Sequence, residues 1–246
     1  MESSRRFRNR QDAGRQLAAA LGEYAGEDSI VVALPRGGVP VGYEVARSLR
    51  VPLDIRVVRK LGVPFQPELG MGAVAEGGFT YVSPEIVTMA GVSERTLADV
   101  VTQKRLEVEE RVRKFRGGWP RPDLHDRTVI LVDDGIATGG TVRVAIRSIR
   151  AEMPRRIVLA APVAAADTIR ALSPEVDRVV CLLIPPELYA IGVWYDDFAQ
   201  VSDEEVASVL ARAREEEAGC ASPGPTPLDR PAKDVGAAGE STERSR

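Results

Sequence analysis

Apolar positions along this chain keep two rhythms that alternate. Residues 11–26 (QDAGRQLAAALGEYAG) have helical spacing and close on Gly26; residues 29–35 (SIVVALP) are an unbroken apolar run, as in a strand buried on both faces. RGGVP interrupts the run, VPVGYEVARSLR (39–50) returns to helical spacing, and LDIRVVRKLG (53–62) reads as one partly alternating strand. VPFQPELGMGAVAEGGFTYVS is dense in Pro and Gly and predicts a mobile loop, then a small hairpin. A long charged helix is predicted over residues 93–116, capped by Ser93 and closed by Gly117. Strand and helix then take turns through TVILVDD, TVRVAIRSIRAE, RIVLAAPVA, ADTIRAL and RVVCLLIPP. GVWYDDFAQ follows, and SDEEVASVLARAREEEAG is a last helix.

Strands interleaved with helices predict an α/β fold: a mostly parallel central sheet with flanking helices, plus a small hairpin or lid insertion. The expected domain covers residues 1–218, with its core over about 28–200 and the lid or hairpin over about 61–83. Residues 219–246 are Pro, Gly, Ser and charge with Leu228 and Val235 as the large aliphatics, too little apolar surface to offset ordering, so a disordered tail is expected. No internal repeat is visible.

Composition narrows this picture without changing it. Of 246 residues, 44% are hydrophobic and 28% charged, enough for a buried core, and the formal net charge of −3 gives no broad nucleic-acid footprint. The basic start, ESSRRFRNR, is read as a solvated terminus, and the helix over 93–116 as a solvated charged face, with a homodimer contact as the alternative. Two cysteines, Cys181 in an apolar run and Cys220 in the polar tail, form no disulfide framework, zinc site or redox pair. Cys181 is expected to be a small buried hydrophobe, and His125, the single histidine, a surface residue. The N-terminus lacks the apolar stretch of a signal peptide, and no apolar run reaches the roughly 20 residues of a membrane span. A reducing, cytoplasmic setting is expected.

The chemistry concentrates in VILVDDGIATGGT, residues 129–141. Asp133 and Asp134 end a predicted strand, and a Gly/Thr loop leads into a predicted helix at Thr141. Ligands of parallel α/β sheets bind at strand carboxyl ends, and a helix start offers unpaired N–H groups and the positive end of a dipole. The loop is not a P-loop, because Thr141 stands where the lysine belongs, and it is not GxGxxG. Acids beside an anion seat make sense if the ligand also carries vicinal hydroxyls and a divalent cation. That combination is a sugar phosphate.

This segment resembles the signature of type I phosphoribosyltransferases, which bind phosphoribosyl pyrophosphate (PRPP). LPRGGVPVGYEVA, RKLGVP, MGAVAEGG and WYDDFAQVSDEE resemble a subgroup described only as predicted phosphoribosyltransferases. The resemblance spans about residues 28–200 in element order, and the signature is its specific part. It implies transfer of 5-phosphoribosyl from PRPP to an unidentified nitrogen acceptor, such as a nucleobase, with release of pyrophosphate and dependence on Mg²⁺. Ala137, Thr138, Gly139, Gly140 and Thr141 would hold the 5-phosphate. Asp133 and Asp134 would meet the ribose hydroxyls, with Mg²⁺ nearby, directly or through water. PRGG would bind pyrophosphate through Arg36, Gly37 and Gly38, and a non-proline cis peptide is expected at Pro35–Arg36. Catalysis is assigned to Asp133, Asp134, Arg36 and Lys60 as positioning and charge stabilisation, without a covalent nucleophile.

Arg59 and Lys60 either reach the pyrophosphate or are a solvated strand end. The Pro/Gly loop after them corresponds to the family's lid. Ala137 and Gly140 stand where 6-oxopurine enzymes carry an acid and a lysine, which argues against a hypoxanthine/guanine acceptor. Glu68 and Glu76 are candidate bases, against a preferred reading as solvated loop carboxylates. Trp194 and Tyr195 are candidates to stack on a planar acceptor, with Asp196 or Asp197 reading its edge; core packing is the equal alternative. A PRPP-binding regulator without turnover remains the second class, and PRPP or nucleotide hydrolysis a third.

Overall fold

The computed structural model describes residues 6–26 and 28–220. In chain order these form α1 (Arg10–Ala20), β1 (Ser29–Ala33), α2 (Gly38–Leu49), β2 (Leu53–Ile55), β3 (Val58–Val63), β4 (Gln66–Ala75) and β5 (Thr80–Val82). α3 (Pro84–Met89), α4 (Glu94–Arg116), β6 (Thr128–Val132), α5 (Gly140–Arg150), β7 (Arg156–Val163), α6 (Ala166–Leu172), β8 (Arg178–Leu183) and α7 (Asp203–Cys220) follow. The tail expected to be disordered lies outside the described residues apart from its first two, which belong to α7. No helix among the described residues is long and apolar enough to cross a membrane.

The central sheet is parallel throughout, in the order β2-β1-β6-β7-β8. Its strands read as continuous apolar runs because both faces are covered. Alternate residues divide between two cores: Val31, Ala33, Ile130 and Val132 pack with α1, α2 and α7, whereas Ile30, Val32, Val129 and Leu131 pack with α5 and α6. Strand order reverses between β1 and β6, so the loops leaving their carboxyl ends open a crevice there.

One predicted strand is two. Residues 53–62 break at Arg56, which is almost fully buried, donates its backbone N–H to the Ala33 carbonyl at 3.0 Å and lies 2.7 Å from the Glu152 carboxylate. Before the break, β2 is the edge of the central sheet; after it, β3 enters an antiparallel sheet, β3-β4-β5, between α4 and α5. The Pro/Gly stretch expected to be a loop supplies ten residues of strand β4. Its glycines allow close approach: a Cβ at Gly72 would stand 2.2 Å from the Tyr81 carbonyl oxygen across the pair.

The long helix matches its expected ends. Ser93 Oγ accepts from the Thr96 N–H at 3.2 Å, and Gly117 closes α4 at φ 60°. It is not simply a solvated face, however: Val108, Phe115 and Arg116 are buried. The N-terminal segment also departs from its expected solvation, because Phe7 is fully enclosed and Arg10 is buried. His125 is exposed as expected. Cys181 is half-buried, its thiol donating to the Leu183 carbonyl at 3.2 Å and pushed up to about 11 by burial.

Candidate functional site

β1 and β6 pair in register from Ser29–Thr128 to Ala33–Val132, so the loops that follow them emerge side by side. The Leu34 N–H donates to the Val132 carbonyl at 2.8 Å, carrying the pairing one residue further. The Pro35–Arg36 peptide beyond it is cis, as the resemblance implied. Gly37 and Gly38 then pass against the acid pair. A Cβ on Gly37 would fall 1.9 Å from Asp134 Oδ2, and one on Gly38 2.8 Å from the Val132 carbonyl oxygen. Only glycine fits between these loops.

The two acids, which follow the end of β6, sit in different surroundings. Asp134 is buried, and its Oδ2 accepts from Arg10 Nε at 2.8 Å. Asp133 is half-buried, and its Oδ1 accepts from the Asp134 N–H at 2.9 Å. Burial first, and then the adjoining Asp134 charge, raises the Asp133 carboxyl well above the usual carboxylate range; Arg10 pulls it the other way. A cation or hydroxyl donor arriving at Asp133 would offset both raising effects.

The loop between β6 and α5 is anchored at its root and open at its tip. Ile136 donates to Val163 at 2.9 Å and accepts from Ala165 at 2.9 Å, while Ile191 lies over Gly135. Thr168 Oγ1 holds the Ala137 carbonyl. Gly139, at φ 72°, opens α5, and no side chain caps that start. The first N–H groups of a helix have no intrahelical acceptor, and Ala137, Thr138, Gly140 and Thr141 are all exposed. The result is a helix start open to solvent, of the kind that can take an anion.

A cationic group lies beyond the β1 loop. Arg36 Nη1 is 3.7 Å from Asp203 Oδ1 at the start of α7, and Lys114 of α4 is 3.2 Å from the other oxygen of the same carboxylate. Arg59 is held below its usual value by burial and then by Arg111, with Arg36 adding to the effect and Glu107 and Asp203 opposing it. Arg59 and Lys60 are therefore separated in role by strand alternation. Arg59 faces α4 and Arg36, whereas Lys60 is on the α5 side of β3, its Nζ on the Glu68 carbonyl.

Two acceptor candidates are otherwise engaged. Glu76 is neither a solvated nor a lid carboxylate: it is buried and ion-paired with Arg116, which also forks onto Asp54. Tyr195 is buried between Phe7, at 5.4 Å, and Phe198, at 4.9 Å, and its hydroxyl donates to the Asp134 carbonyl at 2.6 Å. That ring is packed in the core and has no free face for an acceptor. Glu68 is exposed on β4. Trp194 is half-buried, and its Nε1 has no hydrogen-bond partner among the described residues. Asp196 and Asp197 are exposed. Cavities of about 390 and 490 Å³ lie against α4 and at the amino ends of the strands. Neither contains the acid pair or the open loop, which lie at the carboxyl ends of β1 and β6.

Sequence reasoning missed Arg10 and Arg111, and it left stacking and core packing level for Tyr195. Arg10 meets Asp134 across 124 positions, and no local pattern marks such a pair.

The geometry agrees with what comparison finds. The profile of the phosphoribosyl transferase domain matches residues 6–185. Two Mycobacterium tuberculosis proteins, from strains CDC 1551 and H37Rv and named, provisionally, phosphoribosyl transferases, are each 44% identical over 207 residues, 84% of this chain and 47% of theirs. The chain thus spans about half the length of these curated relatives. The crystal structure of TT1426 from Thermus thermophilus superposes with a TM-score of 0.75 at 39% identity, covering 84% of this chain and 98% of that one.

Proposed function

The chain belongs to the phosphoribosyl transferase family, and on that premise we propose that it transfers 5-phosphoribosyl from PRPP to a nitrogen acceptor. The observation that carries this reading is the uncapped start of α5 beside Asp133, one strand from the PRGG loop. The spacing suits a ligand with a phosphate at one end, a diol in the middle and a pyrophosphate at the other.

In this reading the N–H groups of residues 137–141 take the 5-phosphate and Asp133 accepts from the ribose hydroxyls. Arg36 and Arg59, with the N–H group of Gly37, take pyrophosphate; the Gly38 N–H, expected to share that task, already donates to the Leu34 carbonyl at 3.0 Å and only lets the loops approach. The C1–N bond forms as the C1–O bond to pyrophosphate breaks, the electron pair leaves with pyrophosphate, and the proton on the acceptor nitrogen is lost to solvent. Arg36 and Arg59 stabilise that charge, and no protein nucleophile takes part. Lys60 joins only by leaving the Glu68 carbonyl.

Mg²⁺ fits as an ion that arrives with its substrate. Among the described residues no group of three or more His, Cys, Asp or Glu side chains forms a cage, which is ordinary for Mg²⁺ held by one or two carboxylates, waters and phosphates. Asp133, which has no salt bridge among the described residues, would be the carboxylate for it, and bound there the ion would offset charge on the pyrophosphate. Trp194 and Glu68 remain the acceptor candidates, with Trp194 Nε1 the unpartnered donor.

Calorimetric titration with PRPP and Mg²⁺ tests the reading, and absence of binding refutes it. Binding without pyrophosphate release, across a panel of nitrogen bases, would place the chain among regulators. Asp133→Asn should weaken PRPP at least roughly tenfold, the scale of a lost hydrogen bond to a charged group. The fold should not suffer. A raised carboxyl makes the native state bind more protons than the unfolded chain between the ordinary value of 3.8 and the raised one, so stability falls as pH rises through that window. The Asn variant should lose that fall, as pH-dependent melting would record.

A further inference from the structure

Arg10 is buried at the start of α1, just after the N-cap Asn9, and three groups engage its guanidinium. Nε donates to Asp134 Oδ2 at 2.8 Å, Nη1 donates to the Ala199 carbonyl at 2.7 Å, and the plane lies 3.8 Å from the centre of the Phe198 ring. From the other side Gly37 closes on the same carboxylate, and Tyr195 holds the Asp134 carbonyl. Main-chain bonds tie this assembly to the chain's beginning: Phe7 N–H to Trp194 at 2.9 Å, Asp196 N–H to Phe7 at 2.8 Å and Asp197 N–H to Arg8 at 3.0 Å.

Asp134 therefore reaches a ligand only by abandoning Arg10, whereas Asp133 is half-exposed and has no salt bridge among the described residues. The two are linked, because the Asp134 N–H donates to one oxygen of Asp133 and the two carboxyls also meet side chain to side chain. We infer that Arg10 is a positioning residue: it locks Asp134 and, through the Asp134 main chain, aims Asp133 at the sugar's vicinal hydroxyls. The adjacent acids thus divide the work, one as an anchor and one as the contact. This rests on the phosphoribosyl reading and deepens it, since it assigns discrimination of the ribose hydroxyls to a residue far outside the signature.

The test compares ribose 5-phosphate with 2-deoxyribose 5-phosphate, which share the phosphate and differ in one hydroxyl. A site built to meet a hydroxyl discriminates against the analogue that lacks it. The wild-type chain should prefer ribose 5-phosphate by roughly tenfold or more, and Arg10→Met should reduce the preference to within about twofold while still binding both. Arg10→Lys should fall between them, because an ammonium cannot span Asp134 and Ala199 in one plane; it carries the test if Arg10→Met does not fold. Arg10→Met with Asp134→Asn should lose no more preference than the worse single variant, as for residues acting through one contact.

A folded Arg10→Met or Arg10→Lys that keeps the wild-type preference overturns the inference and leaves the phosphoribosyl reading standing. Parallel loss of affinity for both sugars, with the ratio unchanged, also overturns it, since that is what a purely structural ion pair would do. Failure of the wild-type chain to bind either sugar phosphate or PRPP would instead remove the phosphoribosyl reading and this assignment with it.

Discussion

Gly37 shows what one missing side chain does here. The PRGG loop reaches Asp134 only because nothing projects from Gly37; a methyl group would stand 1.9 Å from the carboxylate oxygen. Gly37→Ala should cost about 1–3 kcal/mol as overpacking, and it should weaken PRPP binding because either the loop or Asp134 must shift. Denaturant melts and PRPP titration read both effects, and a variant with unchanged binding would show that the close approach is dispensable. The glycines, the acid pair and Arg36 were legible because strand, loop and helix lie within a dozen positions of each other. Arg10 was not, since its partner is remote in sequence and a basic residue near a terminus is usually solvated. Glu76 was misjudged, and the two readings of Tyr195 stayed level, for a related reason: residue type shows that a ring can stack or a carboxyl can act as a base, but burial decides whether either is free.

Elements were easier to read than their partners. Helix α4 has the expected ends because Ser93 and Gly117 act locally. What its last turn does is tertiary: Arg116 bonds Asp54 on β2, at 3.1 and 2.8 Å, and Glu76 after β4. Burial raises the Asp54 carboxyl despite the opposing Arg116 charge, so desolvation outweighs pairing on that side. Arg116→Met would strand two buried carboxylates and should cost about 3–5 kcal/mol by urea unfolding. A loss below about 1 kcal/mol would mean that the network is hydrated and weak. The split of residues 53–62 into β2 and β3 shows the same limit. The apolar pattern runs on through Arg56, whose burial against Glu152 ends one sheet and starts another.

Across the whole molecule, the start of the chain closes against the segment before α7. Phe7 is wholly enclosed with Val163, Ala13 and Tyr195, in a small core separate from the two that flank the sheet. Phe7→Ala should cost about 3–5 kcal/mol and should also loosen Tyr195, and with it Asp134. Thermal unfolding would measure the first effect and PRPP affinity the second; an unperturbed affinity would show that this core is only structural. The sequence by itself determined the alternation of strands and helices, the buried character of the parallel strands and the glycine turn that opens α5, because each depends on neighbours a few positions apart. Tertiary structure alone decided which acid pairs with Arg10, which cations gather beyond the β1 loop and which aromatic ring is spent on the core. Those outcomes depend on groups that meet only after the chain has folded, and distance along a sequence carries no record of who they will meet.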